Sequence, residues 1–486
     1  MGYFHALAAS AAIQAGIGFA IRVPVWEGTI VLPTLGVAQL PMRSRFSVAE
    51  VRGDAGGVRV GAADLSLTLP VDLSTDAPGW WAIRRIEARD AGRLVRIRLD
   101  DVDPYRGMHE PLLPKRIDAD AVRDWEKLLA GAWHLMLRCV PAVADGFAEG
   151  FDAVVPIPAV PYKSVSGSAG EAFGSATIAL PADATSLAAM LVHEFQHFKL
   201  GALMHLTALT EADCRERFYT QWRDDPRPIG GVLHGVYAFF GVTAFWRGLA
   251  TVDTQATDER AWFEFGYWRA GVARTLDALR ADGGLTEIGR RFVDGIAGRL
   301  EPWLREPIPD RTAGLVDAAT VDHHAGWRMR HVRPDKETVR SLTIAWLSGK
   351  KPAPVALDDQ APTPVPDGTW SGARTELVRL ALTIPAPSIA SVWQEIPGAT
   401  RADFDYATGR AQDAVRSYRA ELATDQDSPN AWVGLGLALR AAQVTSPAAR
   451  ALLGRPELVR AVHREVRRER TVDPVELAEW ISPLVR

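Results

Sequence analysis

Residues 183–203, DATSLAAMLVHEFQHFKLGAL, decide the fold, because their apolar side chains recur at the three- and four-residue spacing of a helix. Asp183 or Thr185 can cap this helix at its start. His193 and His197 are four residues apart, so they lie about one turn apart on nearly the same helical face. Both imidazoles can therefore reach one ion at about 2 Å each. The stretch predicts a buried helix that binds a divalent metal.

The metal helix offers further chemistry, and it also needs a further ligand. Glu194 follows the first histidine and can accept or steer a proton from metal-bound water, or it can take a structural, supporting part instead. Because two imidazoles hold a catalytic metal poorly, a third protein ligand is expected. His234 is the best candidate, since it opens a very apolar helix in which a charged imidazole would be costly. A neutral histidine bonded to a carbonyl is the alternative. The carboxylates that could replace it are Glu211, Glu216, Glu259 and Glu264.

Two arginines lie in the loop at residues 223–228, RDDPRP, shortly before His234. Arg223 and Arg227 carry planar guanidinium groups that suit bidentate capture of a carboxylate. They are therefore candidates for binding a carboxylate of a cosubstrate or of a peptide terminus. An exposed turn with internal Arg–Asp pairs explains the same residues equally well. A second polar cluster, at residues 322–331, could line a site.

Bulk composition bounds the protein class. A chain of 486 residues is too long for one ordinary core, and its net charge of -4 gives no reason to bind nucleic acid or an anionic membrane. Cys139 and Cys214 are too few for a disulfide framework, which fits a reducing cytoplasm. The Ala-rich residues 5–21 lack the basic start of a secretory signal and are shorter than a membrane span of about 20 residues. No other run is judged long enough to span, so a soluble, cytoplasmic protein is expected.

The predicted fold class is α+β, mainly helical. Alternation around a Glu27-Gly28 turn and in residues 94–99 predicts strands in the N-terminal part. The metal helix begins a helical region that extends to about Arg305 and is broken by a loop at residues 223–228. The predicted segments are a β-rich N-terminal domain at 1–117, a helical metal-binding catalytic domain at 118–350, a linker at 351–368 and a C-terminal helical module, similar to a tetratricopeptide repeat, at 369–486.

Several blocks of the chain together resemble one family. Residues 191–200, 225–228 and 233–239, LVHEFQHFKL, DPRP and LHGVYAF, are similar to the HExxH-motif proteins of ribosomal peptide natural-product clusters. These proteins are 2-oxoglutarate-dependent peptide β-hydroxylases. The similarity also includes residues 31–36 and Trp327-Arg328, and it covers roughly residues 5 to 335. The spaced blocks are more specific than the pentad HEFQH at residues 193–197 alone.

The resemblance implies an iron(II) centre that uses 2-oxoglutarate and dioxygen to hydroxylate a side-chain β-carbon of a ribosomally made precursor peptide. His193, His197 and His234 match the histidine positions of the family and are the implied ligands. Arg223 and Arg227 are our own assignment for the carboxylate of 2-oxoglutarate, and the motif does not supply it.

Two other functions fit the same helix. Imidazole binds zinc and iron alike, so a zinc metallopeptidase with Glu194 as general base is the alternative. A non-catalytic peptide-binding scaffold with a structural metal is the third hypothesis. The substrate peptide, the modified residue, the region that binds its leader and the oligomeric state do not follow from the sequence.

Overall fold

The computed structural model describes residues 2–42, 44–107, 110–170, 172–252, 258–357, 360–443 and 445–485. The protein is α+β with 53% helix and 15% strand, which confirms the predicted class at this level. The chain divides into two compact units, Met1–Ala202 and Leu203–Arg486. The four finer segments expected from the sequence stay predictions.

The first unit is built on two sheets. Its strands are β1 Phe19–Trp26, β2 Thr29–Leu32, β3 Gly36–Gln39, β4 Phe46–Asp54, β5 Gly57–Ala62, β6 Leu65–Thr68, β7 Trp80–Ala82, β8 Arg84–Asp90, β9 Arg93–Leu99, β10 Ala153–Ile157, β11 Ser166–Ser168 and β12 Ser175–Ala179. Its helices are α1 Gly2–Gln14, α2 Ala119–Cys139, α3 Pro141–Gly150 and α4 Ala184–Leu206, the last of which runs past the unit boundary.

The N-terminal sheet is a half-barrel of antiparallel strands in the order β6-β5-β4-β1-β2-β3-β7. The predicted hairpin is confirmed, because Trp26 pairs with Thr29 across the Glu27-Gly28 turn. Both turn residues have positive φ, 48° and 76°, as tight hairpin turns require. Helix α1 packs on β1 and buries Ala6 among the core side chains of this sheet. The small alanine side chains allow this close contact.

The second sheet positions the helix that carries the histidine pair. Its strand order is β11-β12-β10-β9-β8, with parallel pairing of β10 to β12 and β9 and antiparallel pairing of both edge strands. Aromatic side chains of α3 and of the residue after it meet α4. The ring centroids of Phe147 and Phe195 are 5.7 Å apart, and those of Phe151 and Phe198 are 5.4 Å apart. These apolar contacts fix which face of α4 points inward.

Helix α4 begins where the sequence predicts. Oδ1 of Asp183 accepts a hydrogen bond of 2.7 Å from the backbone N–H of Ser186, which is an N-cap contact. The helix ends at Leu206, and the next helix begins only at Ile229. The predicted break at residues 223–228 is therefore present, but it begins earlier than expected, at residue 207. Residues 207–228 contain two prolines and many short polar side chains, which do not sustain helical packing.

The second unit is helical in its described residues. Its helices are α5 Ile229–Val252, α6 Glu259–Ala281, α7 Glu287–Leu304, α8 Asp310–His331, α9 Lys336–Leu347, α10 Ala373–Ala381, α11 Ala386–Val392, α12 Arg401–Ala407, α13 Ala411–Thr424, α14 Pro429–Ala442, α15 Pro447–Gly454, α16 Pro456–Val466 and α17 Pro474–Ile481.

Helix α5 corrects two expectations. By length and composition alone it could cross a membrane, so the judgement that no run beyond the N-terminal segment is long enough was wrong. Of its most apolar window, 67% is buried inside the protein, as in the core helix of a soluble protein. His234 does not open this helix but lies inside it, because the helix already begins at Ile229, directly after Pro228.

Helix α8 uses the polar cluster predicted at residues 322–331 mainly for packing. Asp322 receives two hydrogen bonds from Arg374, of 2.7 and 3.0 Å, and both residues are buried. Arg328 forms a buried ion pair of 2.6 Å with Glu457. These contacts join α8 to the C-terminal helices.

The segment predicted as a linker also lies against α8. The N–H of Thr363 donates to the carbonyl of His331 at 2.7 Å, and the N–H of Asp367 donates to the carbonyl of Arg330 at 2.9 Å. Residues 358 and 359 of this segment lie outside the described residues. Thr363 and Asp367 of this segment are thus bonded through the backbone to the end of α8.

Candidate metal centre

The two histidines of the pentad converge as their spacing predicts. Nε2 of His193 and Nε2 of His197 are 3.0 Å apart, and the ring planes are nearly perpendicular, at 82°. Both side chains are half-buried. Burial lowers the pKa of His193 to about 4, so this imidazole is neutral at neutral pH. A neutral imidazole is the form that binds a metal ion.

The distance between the two nitrogens tests whether one ion fits between them. Two nitrogens bound at about 2.1 Å lie about 3.0 Å apart when they subtend 90° at the ion, and about 3.4 Å apart at a tetrahedral angle. The observed 3.0 Å is within a few tenths of an ångström of both values, and it is also an ordinary length for an N–H···N hydrogen bond between the two rings. The distance therefore does not select a metal. The pair therefore fits two ligands of one metal ion.

The carboxylate of Glu194 accepts a hydrogen bond at each of its two oxygens. Oγ of Ser166 donates to its Oε1, and Oγ of Ser168 donates to its Oε2, each at 2.6 Å. The side chain is almost fully buried, since the residue is 1% exposed. Each carboxylate oxygen thus has a short hydrogen bond from a hydroxyl group. The arrangement ties the metal helix to strand β11.

The geometry of β11 explains how two serines reach one carboxylate. Residues two apart in a strand point to the same face, so Ser166 and Ser168 present their hydroxyls together. Antiparallel pairing of Gly167 with Thr177 of β12 fixes this register, and Oγ1 of Thr177 also donates to the carbonyl of Gly167 at 3.1 Å. Sequence reasoning missed these serines. The signal was a Ser-Gly-Ser triplet, which is weak without knowledge of the strand pairing.

His234 is half-buried on α5, and burial lowers the pKa of its imidazole. It belongs to the second unit, and its role as third ligand stays a prediction. Among the residues that the structure describes, no group of three or more His, Cys, Asp or Glu side chains is placed to hold one ion. Within the described part of the chain, the imidazoles of His193 and His197 are the candidate ligands that lie next to each other.

Two of the four carboxylates considered as replacements have cation partners within the second unit. Glu264 is buried and accepts a hydrogen bond of 2.6 Å from Nε of Arg379. Glu259 forms an ion pair of 3.0 Å with Arg311. Glu211 and Glu216 are exposed. Glu211, Glu216 and Glu259 are thus ordinary helix or loop charges, whereas Glu264 is not a solvated charge but the buried partner of Arg379.

The two arginines proposed for a cofactor carboxylate contact a carboxylate of their own loop. Nε of Arg223 donates to Oδ1 of Asp225 at 2.9 Å, and Nη1 of Arg227 donates to Oδ2 of the same residue at 3.1 Å. These contacts lower the pKa of Asp225 against the effect of its partial burial. A bound carboxylate would compete with Asp225 for both guanidinium groups. The assignment of Arg223 and Arg227 to 2-oxoglutarate stays a prediction.

Comparison of the sequence with protein-family models and with curated proteins finds no match. The functional argument therefore depends on the geometry of the site and on the sequence resemblance described above.

Proposed function

We propose that the protein is an iron(II)- and 2-oxoglutarate-dependent oxygenase that hydroxylates a side-chain β-carbon of a ribosomally made precursor peptide. The observation that carries the proposal is the 3.0 Å separation of Nε2 of His193 and Nε2 of His197. This spacing lets both imidazoles bind one ion, and it does not distinguish iron from zinc. The resemblance of the spaced sequence blocks to the peptide β-hydroxylases supplies the reaction class.

The surroundings of Glu194 favour the oxygenase over the zinc peptidase. A peptidase needs this carboxylate to take a proton from metal-bound water. Here both carboxylate oxygens already accept hydrogen bonds from Ser166 and Ser168. A carboxylate in this position orients its helix rather than moving a proton. Glu194 is therefore assigned a supporting role, which differs from its expected role as a catalytic residue.

The chain's own residues would hold and orient the reactants. His193 and His197 would each bind the ion through Nε2, and His234 is the proposed third ligand. Bound iron(II) would supply the oxidation, in which 2-oxoglutarate and dioxygen give succinate, carbon dioxide and one oxygen atom for the peptide. Burial of Glu194 against β11 keeps the first two imidazoles in place, because it fixes the turn of helix between them.

The test is anaerobic loading with iron(II) followed by addition of 2-oxoglutarate and air. Succinate should form with iron and not with zinc, and a gain of about 16 Da should appear on the peptide substrate. His193→Ala and His197→Ala should each abolish succinate formation. Glu194→Gln should retain part of it, because glutamine can still accept a hydrogen bond from a serine. Peptide cleavage by zinc-loaded protein that disappears in Glu194→Gln would instead establish the peptidase.

The C-terminal helices are proposed to form a module similar to a tetratricopeptide repeat. Helices α13 and α14 pack as a hairpin in which Gly434 lies under the ring of Tyr418. A Cβ atom at residue 434 would be 2.3 Å from Cζ of that ring, so only glycine allows this approach. Such modules bind peptides, and a precursor peptide is the proposed partner. The proposed location is the cytoplasm, where Cys139 and Cys214 would stay reduced.

A further inference from the structure

We propose that the open edge of strand β11 binds an extended segment of the peptide substrate as an added strand. This inference rests on the proposed peptide-modifying function and names the surface that would hold the substrate. It concerns the first unit alone.

Strand β11 is an edge strand with unpaired main-chain groups. In the sheet as described it pairs with β12 and with no other strand. The carbonyl of Val165 accepts a hydrogen bond from Ala179, so the backbone of Val165 faces the sheet. Because the direction alternates along an antiparallel strand, the N–H and C=O groups of Ser166 and Ser168 face outward. These residues are partly exposed.

The same two serines connect this edge to the histidine pair. Their hydroxyls donate hydrogen bonds to the carboxylate of Glu194, and His193 directly precedes Glu194 in the helix. A strand added at the edge would thus be anchored to the residues that also orient the metal helix. Exposed edges of sheets bind extended peptides in this way through main-chain hydrogen bonds.

An exposed apolar side chain lies between β11 and β12 in the chain. Phe173 is 58% exposed, and its ring centroid is 5.8 Å from that of Phe198 on α4. An exposed aromatic ring offers a contact for one substrate side chain, while the main-chain bonds accept any sequence. β11 has three residues, so the edge provides at most four outward hydrogen-bonding groups. This suits a peptide that binds and leaves better than a stable dimer through the same edge.

The experiment compares two substitutions at one residue. Ser168→Pro removes the outward N–H and the hydroxyl, whereas the matched control Ser168→Ala removes only the hydroxyl. Proline is tolerated on an edge strand where its missing N–H would face away from the sheet. The probe is a set of 12-residue peptides selected by phage display against the iron-loaded wild-type protein. The best peptide is then resynthesised with single N-methyl groups at successive amides.

The expected result is binding at least about fivefold weaker to Ser168→Pro than to Ser168→Ala, as the loss of main-chain hydrogen bonds predicts. N-methylation should weaken binding at every second amide and not at those between. Equal affinity for the two variants, an effect of N-methylation without alternation, or selection of no peptide overturns the inference. Succinate formation without peptide reports the proposed function separately. Alternating sensitivity in a protein that makes no succinate would leave the edge intact and remove the hydroxylase assignment.

Discussion

Replacing Arg374 by methionine should expose how much a buried charge network stabilises the second unit. Arg374 is 2% exposed and donates to both oxygens of Asp322, at 3.0 and 2.7 Å, and to Oδ1 of Asp403 at 2.8 Å. Asp403 keeps the hydroxyl of Tyr418, at 2.6 Å, as a donor when the guanidinium is removed. Among the described residues, Arg374 is the cation that contacts Asp322. Among the described residues, the substitution therefore leaves Asp322 without a cation contact and leaves Asp403 with neutral donors.

Two estimates of the unfolding free energy lost in Arg374→Met agree. Removing one partner of a buried ion pair costs about 3–5 kcal/mol. The alternative is protonation of Asp322, which costs about 4 kcal/mol at pH 7 for a carboxyl of ordinary pKa near 3.9. Burial already raises the pKa of Asp322 in the wild-type protein, and the loss of Arg374 raises it further. When the pKa of an acid is raised in the folded state, the folded protein gains stability relative to the unfolded chain as pH falls. The loss of unfolding free energy caused by Arg374→Met should therefore shrink by about 2–3 kcal/mol between pH 7 and pH 5.

Urea unfolding of wild-type protein and Arg374→Met at pH 7 and pH 5, followed by tryptophan fluorescence, measures both effects. A deficit of about 4 kcal/mol at pH 7 should shrink to about 1–2 kcal/mol at pH 5. The matched control is Arg419→Met, which removes a partly exposed ion pair with Asp473 and should cost less than about 1 kcal/mol. A loss below 1 kcal/mol for Arg374→Met, or a deficit that does not change with pH, would refute the reasoning.

Three further predictions test the hairpin, a buried histidine and the metal pair. Gly434→Ala should destabilise the protein by about 1–3 kcal/mol, because its Cβ meets Tyr418, whereas Gly314→Ala, with open space around it, should be neutral or stabilising by thermal unfolding. Burial lowers the pKa of His463 to about 4, so stability should fall as pH drops below about 6.5, and His463→Gln should remove about 2 kcal/mol of that loss in urea titrations at pH 7 and 4. His197→Ala should weaken metal binding more than about 100-fold in chelator competition, and unchanged affinity would exclude a shared ion.

Local patterns predicted much of the fold. The hairpin at Glu27-Gly28 and the Asp183 cap follow from short-range rules, since turn and cap geometry depends on adjacent residues. The length of the irregular segment at 207–228 did not follow. Its shape depends on distant pairing, such as the bridge of Thr210 to Leu285, which no local pattern contains. The start of α5 at Ile229 was missed for a similar reason, because a Gly-Gly pair weakens the helical pattern there.

The site was predictable only where its geometry lies within one helix. The convergence of His193 and His197 follows from four-residue spacing, and the structure shows it. The contacts of Arg223 and Arg227 with Asp225 match the simpler of two readings of the loop, which the sequence left open. The serine contacts to Glu194 could not be predicted, because they join residues 28 and 26 positions apart through a strand pairing.

The contacts outside the helix matter for which reaction an HExxH helix supports. Two histidines one turn apart bind several metals, so the helix alone does not select a reaction. We propose that the hydrogen-bond partners of the intervening glutamate do. A free carboxylate beside the ion can move a proton, whereas the carboxylate of Glu194 is held to its strand by hydrogen bonds of 2.6 Å from Ser166 and Ser168. If Ser166→Ala with Ser168→Ala raised zinc-dependent peptide cleavage while succinate formation fell, these two hydroxyls would be what separates the two activities.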